Sequence, residues 1–105
     1  MARFDVYANP GARAPATPFL LDVQSDLLDS LESRVVIPLR DLAGFPQVAL
    51  SERLTPVLSV DGRALMLETP KMAAVPRRVL GAPVASLAAD RERITAAVEF
   101  LFRGF

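Results

Sequence analysis

The chain has 105 residues, which fits one domain spanning residues 1–105 and leaves no room for two. Twelve basic and twelve acidic residues cancel, which excludes a nucleic-acid binder working mainly by phosphate neutralisation. Apolar residues make up 51% and charged residues 23%, so the chain can build a core and is not of the disordered class.

Phe4 to Tyr7 alternates at the period of a strand. From Asn9 to Pro18, three prolines and a glycine forbid a helix and predict an exposed loop. Phe19 to Val23 resumes a strand, and Arg34 to Leu39 gives another of β-branched character. Pro38 cannot donate to a ladder, so that strand is expected at a sheet edge or bulged there. Asp41 to Arg53 is left between loop and helical turn. Asp61-Gly62 joins two apolar runs, Thr55–Val60 and Arg63–Thr69, and predicts a type I′ hairpin, which needs positive φ at both central residues. Met72 to Leu80 reads as a further short extended stretch between prolines. From Ser86 to Arg103 the apolar residues Leu87, Ile94, Val98 and Leu101 recur at helical spacing and are expected in the core. Ser86 is the expected N-cap and Gly104 the left-handed terminator. The fold class is α+β, mostly antiparallel β with one C-terminal helix.

The catalytic inventory is sparse. Without Cys or His, neither a zinc site nor a Cys–His or Ser–His–Asp nucleophile system is expected, and no cofactor, metal or catalytic residue is expected. The absence of Cys gives no disulfide framework. Residues 1–11 lack the apolar core of a signal peptide, and no run approaches the ~18–20 residues of a membrane span. A cytoplasmic protein without membrane or direct nucleic-acid contacts is the expectation. Asp22, Asp26 and Asp29 are spaced for convergence only if the fold brings them together; the simpler reading is a turn-forming polar loop. Arg77-Arg78 is the one adjacent basic pair, either an anion contact or a solvated strand edge. Phe102 and Phe105, aromatic residues at the end of the helix, are candidates for a partner surface.

The segments DVQSD (Asp22–Asp26), VIPL (Val36–Leu39), Met72-Ala-Ala-Val-Pro76 and Val84-Ala85-x-Leu87, with Phe102 to Phe105 reading aromatic-x-Gly-hydrophobic, resemble the CcdB family of plasmid-type toxins. The resemblance covers nearly the whole chain. It implies a small SH3-like barrel of the CcdB–MazF type, closed by a C-terminal helix and paired as a homodimer. It also implies the toxin half of a toxin–antitoxin pair. Such a toxin binds the A subunit of DNA gyrase, traps the enzyme on cleaved DNA, and is removed by a CcdA-like antitoxin. It performs no covalent chemistry. Six Phe and three Met in so short a chain agree with a symmetric interface that buries apolar excess.

Carried over position by position, the gyrase-contacting residues are Leu27 and Leu28, in the turn after DVQSD, and Glu99, Phe102, Arg103, Gly104 and Phe105 at the helix end. Two of these depart from the family pattern: the best-known members carry Trp at the position of Arg103 and Asn at that of Glu99. The Trp is understood to stack on gyrase arginines, so Arg103 puts a like charge there. Glu99 and Arg103 are four apart in the favoured order for a helical ion pair. Two other readings stay open from the residues: a ribonuclease toxin of the related MazF-type fold, and an inactive relative that binds antitoxin but not gyrase.

Overall fold

A computed structural model describes residues 1–44 and 51–104. The strands are β1 (Asp5–Ala8), β2 (Phe19–Asp22), β3 (Ser33–Asp41), β4 (Val57–Val60), β5 (Arg63–Leu67), β6 (Ala73–Pro76) and β7 (Ala85–Ser86), followed by helix α1 (Arg91–Arg103). All the strand pairings are antiparallel. The sheet runs β4-β5-β3-β2-β1-β7, with β6 also paired to β3. It curls into a nearly closed barrel, and with α1 it forms the expected α+β arrangement.

The long strand β3 organises the sheet. Val36 faces Asp22 of β2 on one edge and Ala73 of β6 on the other, while Leu39 faces Phe19 of β2 and Leu67 of β5. So β6 and β5 share one edge of β3 in succession. Pro38 falls where the partner changes, and its carbonyl oxygen accepts the Glu68 N–H at 2.9 Å. A residue's N and O point to the same side of a strand, so the missing N–H of Pro38 lies at the seam between β6 and β5. The expectation of an edge strand is therefore corrected: β3 is interior, and the proline is accommodated because the ladder is already interrupted.

Period-two alternation gives the sheet two covered faces. Phe4, Val6, Leu21, Ile37, Leu39 and Leu65 pack on one face with Ile94 and Ala97 of α1. Tyr7, Leu20, Val36 and Leu80 form a smaller cluster on the other. Asp61 and Gly62 have φ of 50° and 80°, the type I′ pattern predicted between β4 and β5. A 3-10 turn at Leu42–Gly44 follows β3, and another at Arg77–Val79 ends the extended run after β6.

The helix begins later than its sequence pattern predicts. Ser86 belongs to β7, where it pairs with Asp5, and a 3-10 turn at Ala88–Asp90 precedes the first residue of α1. The Ser86 hydroxyl accepts the Ala88 N–H at 3.2 Å, but Leu87 is the residue that precedes the short turn and Asp90 the one that precedes the α-helix. Of the expected core stripe, Leu87 and Ile94 are buried, Val98 packs against the core and Leu101 is half-buried.

Tyr7 has no exposed surface, and its hydroxyl meets no hydrogen-bond partner among the described residues. Burial pushes the phenol above its ordinary value of 10.0, with Asp5 and Asp22 adding to the shift. The folded chain therefore holds this proton more tightly than the unfolded chain. Its contribution to stability is present below pH 10.0 and lost as pH rises through the raised value. With one Tyr and no Trp in the sequence, ultraviolet absorbance reads this group alone. The expected result is less phenolate at pH 10.0 than a free phenol would show, with its appearance at higher pH coinciding with unfolding.

Candidate partner-binding site

The helix end is set by backbone geometry. Gly104 adopts φ 75°, ψ 20°, the left-handed conformation in which glycine carries no Cβ penalty, and its N–H donates to Phe100 O at 2.9 Å. Arg103 Nη1 lies 3.4 Å from Glu99 Oε2, and the two side chains are 65% and 52% exposed. At that exposure the pair contributes about 0.3–0.5 kcal/mol. Arg103 also complements the negative end of the helix dipole. Phe102 projects outward and is 70% exposed, whereas Phe100 is half-buried beneath the Arg53 guanidinium, 4.3 Å from its ring centroid. Phe105 lies outside the described residues.

Leu27 and Leu28 occupy a separate element, a 3-10 turn over Asp26–Leu28 whose preceding Ser25 accepts the Leu27 N–H through its hydroxyl at 3.2 Å. Leu27 is 93% exposed and Leu28 48%. Packing does not account for a leucine that open.

Two of the three aspartates of this segment, Asp22 and Asp29, meet on the Arg34 guanidinium, and Asp26 is bound elsewhere. Asp22 is fully buried and bound by Arg34, whose Nε and Nη2 lie 2.8 and 2.6 Å from the same oxygen, Oδ2. Its other oxygen accepts the Gln24 N–H at 2.9 Å. Burial pushes the Asp22 carboxyl above its ordinary range, opposed by the bonds from Arg34 and Gln24. Asp26 accepts the Arg3 N–H at 2.7 Å, and Asp29 Oδ1 accepts from Arg34 Nη1 at 3.2 Å. Among the described residues no group of three acidic side chains is placed to hold a metal ion. Asp26 and Asp29 belong to the turn, as the polar-loop reading expects, whereas Asp22 departs from that reading as a buried β2 residue paired with Arg34.

Arg77 lies just past β6 and turns to the segment after Asp26, where its Nη2 is 3.9 Å from the Asp29 carboxylate. Its Nη1 donates to the main-chain oxygen of Asp29 at 2.5 Å, and its N–H donates to Glu32 O at 2.7 Å. Arg78 beside it is exposed. Sequence reasoning missed the buried Arg34–Asp22 pair, although one signal was available. Arg34 has the parity of buried Val36 in β3, so strand alternation alone puts its charge on a covered face. A buried guanidinium requires an acid, and the register that sets Asp22 opposite Val36 supplies it.

The family model of the CcdB protein matches residues 3–104. The chain belongs to the CcdB family. Both exposed apolar elements lie within the matched span, and the CcdB family is one of toxin–antitoxin toxins. No helix among the described residues is long and apolar enough to cross a membrane.

Proposed function

We propose that this CcdB-family chain binds the A subunit of DNA gyrase and traps the enzyme on cleaved DNA. It acts in the cytoplasm as a homodimer, without covalent chemistry of its own, and a CcdA-like antitoxin neutralises it. The observation that carries the reading is the pairing of exposure with position. Leu27 and Phe102 are 93% and 70% exposed, and the resemblance to the family carries gyrase contact over to their positions. Large apolar side chains held in water are the kind of surface that partners cover. Leu28, Glu99, Arg103, Gly104 and Phe105 complete the proposed contact set.

Arg103 is the specificity question within that set. Its link to Glu99 is weak enough for a partner to open, and a guanidinium can stack on an aromatic ring or pair with an acid. The test is a cleavage assay with purified protein, gyrase, ATP and supercoiled plasmid, beside an Arg103→Trp variant. The expected result is linear DNA after protein denaturation with the wild-type chain, and at lower protein concentration with Arg103→Trp. Linear DNA from the variant alone would mean that gyrase binding has been lost or redirected through Arg103. Linear DNA from neither would refute the gyrase assignment.

A further inference from the structure

The turn that displays Leu27 and Leu28 is tethered by side chains from outside it. Gln24, itself buried, donates through Nε2 to Leu28 O and to Ser33 O, both at 3.1 Å, while its Oε1 accepts the Val35 N–H at 3.1 Å. One amide thus bridges the turn to β3. Arg77 reaches the same segment from beyond β6. Its Nη1 donates to Asp29 O at 2.5 Å and to Leu31 O at 3.5 Å. The carbonyls at the end of a short 3-10 turn have no partners within the turn and otherwise face water. Here those of Leu28, Asp29 and Leu31 each accept a side-chain N–H from outside the turn, and Leu28 O also accepts the Leu31 N–H at 3.1 Å.

These bonds contrast with the exposure of the residues they flank. Leu27 and Leu28 have little packing to fix them, so a turn without tethers would sample many orientations and lose that freedom on binding. A turn ordered beforehand avoids that loss. We propose that Gln24 and Arg77 are positioning residues: they hold the Asp26–Leu31 segment in the shape in which Leu27 and Leu28 meet the partner, without touching the partner themselves. The proposal rests on the gyrase reading above for the partner's identity. It gives Arg77 a role distinct from that of Arg78, which makes none of these bonds and is a built-in control of equal charge.

The experiment uses the full chain as wild type, Arg77→Met, Arg77→Lys and Arg78→Met. It measures amide hydrogen exchange at Leu28, Asp29 and Leu31, binding to the gyrase A subunit, and the midpoint of denaturant unfolding. In Arg77→Met, exchange at those amides should rise at least about tenfold while the amides of β2 stay protected. Gyrase binding should weaken about tenfold, with the unfolding midpoint little changed. Arg77→Lys should restore part of both effects, because an ammonium can still reach one carbonyl, and Arg78→Met should alter neither. Unchanged exchange in Arg77→Met overturns the proposal, as does a loosened turn that binds gyrase undiminished. If wild type fails to bind gyrase, the functional reading falls, and the exchange result alone decides whether Arg77 orders the turn. Should Arg77→Met not fold, Gln24→Asn carries the same comparison, since its shorter amide cannot span Leu28 O and Ser33 O together.

Discussion

Arg34→Met is expected to lower the free energy of unfolding by about 3–5 kcal/mol, the range for removing one partner of a buried ion pair. Arg34 and Asp22 are both fully inaccessible, and two guanidinium nitrogens share one carboxylate oxygen. Methionine fills much of the same space, so the loss comes mainly from leaving a carboxylate uncompensated rather than from a cavity. Burial already raises the Asp22 carboxyl above its ordinary 3.8 while Arg34 acts to lower it. Without Arg34 the group rises further.

The sign of the pH dependence follows from that shift. An acid raised in the folded state binds its proton more tightly there than in the unfolded chain. The Asp22 contribution to the variant's stability should therefore be fully present below pH 3.8 and be lost as pH rises through the raised value. Its deficit relative to wild type is expected to be smaller at about pH 4 than at about pH 7, by urea denaturation. The double variant Arg34→Met with Asp22→Leu should recover most of the loss at neutral pH, because neither charge is then buried alone. An equal deficit at both pH values, with no recovery in the double variant, would show that the ion pair is not the cause.

What could be read from the sequence was what short-range periodicity encodes. The hairpin at Asp61-Gly62 was legible because positive φ at two successive residues is a local demand with a local chemical answer. The apolar stripe of α1 was legible for the same reason, and Ile94 lies where its spacing puts it. The failures all concern long-range pairing. Ser86 has the chemistry of a helix cap, but its backbone is taken into the pairing with Asp5, which displaces the helix start to Arg91. Pro38 has the chemistry of an edge residue, yet it fits within an interior strand because β6 gives way to β5 beside it. Within the candidate site, the helix end was visible as residues at fixed spacing. The Arg77 tether on the Leu27-Leu28 turn was not, because Arg77 and Asp29 are 48 positions apart and nothing in either residue's neighbourhood names the other.

Leu27→Ala and Phe102→Ala are expected to separate binding from folding. Both side chains are largely in water, so truncation removes little buried area and should change unfolding stability by less than about 0.5 kcal/mol. If both form the gyrase surface, each should reduce binding by about 2 kcal/mol, some thirtyfold, as anchoring residues of an interface do. The two sit on separate elements, a 3-10 turn and the end of α1, so a flat partner surface must span both. The double variant then tests whether they act as one surface. Without direct contact between them, their losses should add to within about 0.5 kcal/mol in a double-mutant cycle against gyrase. A full loss from Phe102→Ala with none from Leu27→Ala would confine the contact to the helix end, and the open leucine would need another partner. Competition by antitoxin, measured on the same variants, distinguishes that case. A Leu27→Ala chain that poisons gyrase normally but escapes neutralisation would assign the turn to the antitoxin.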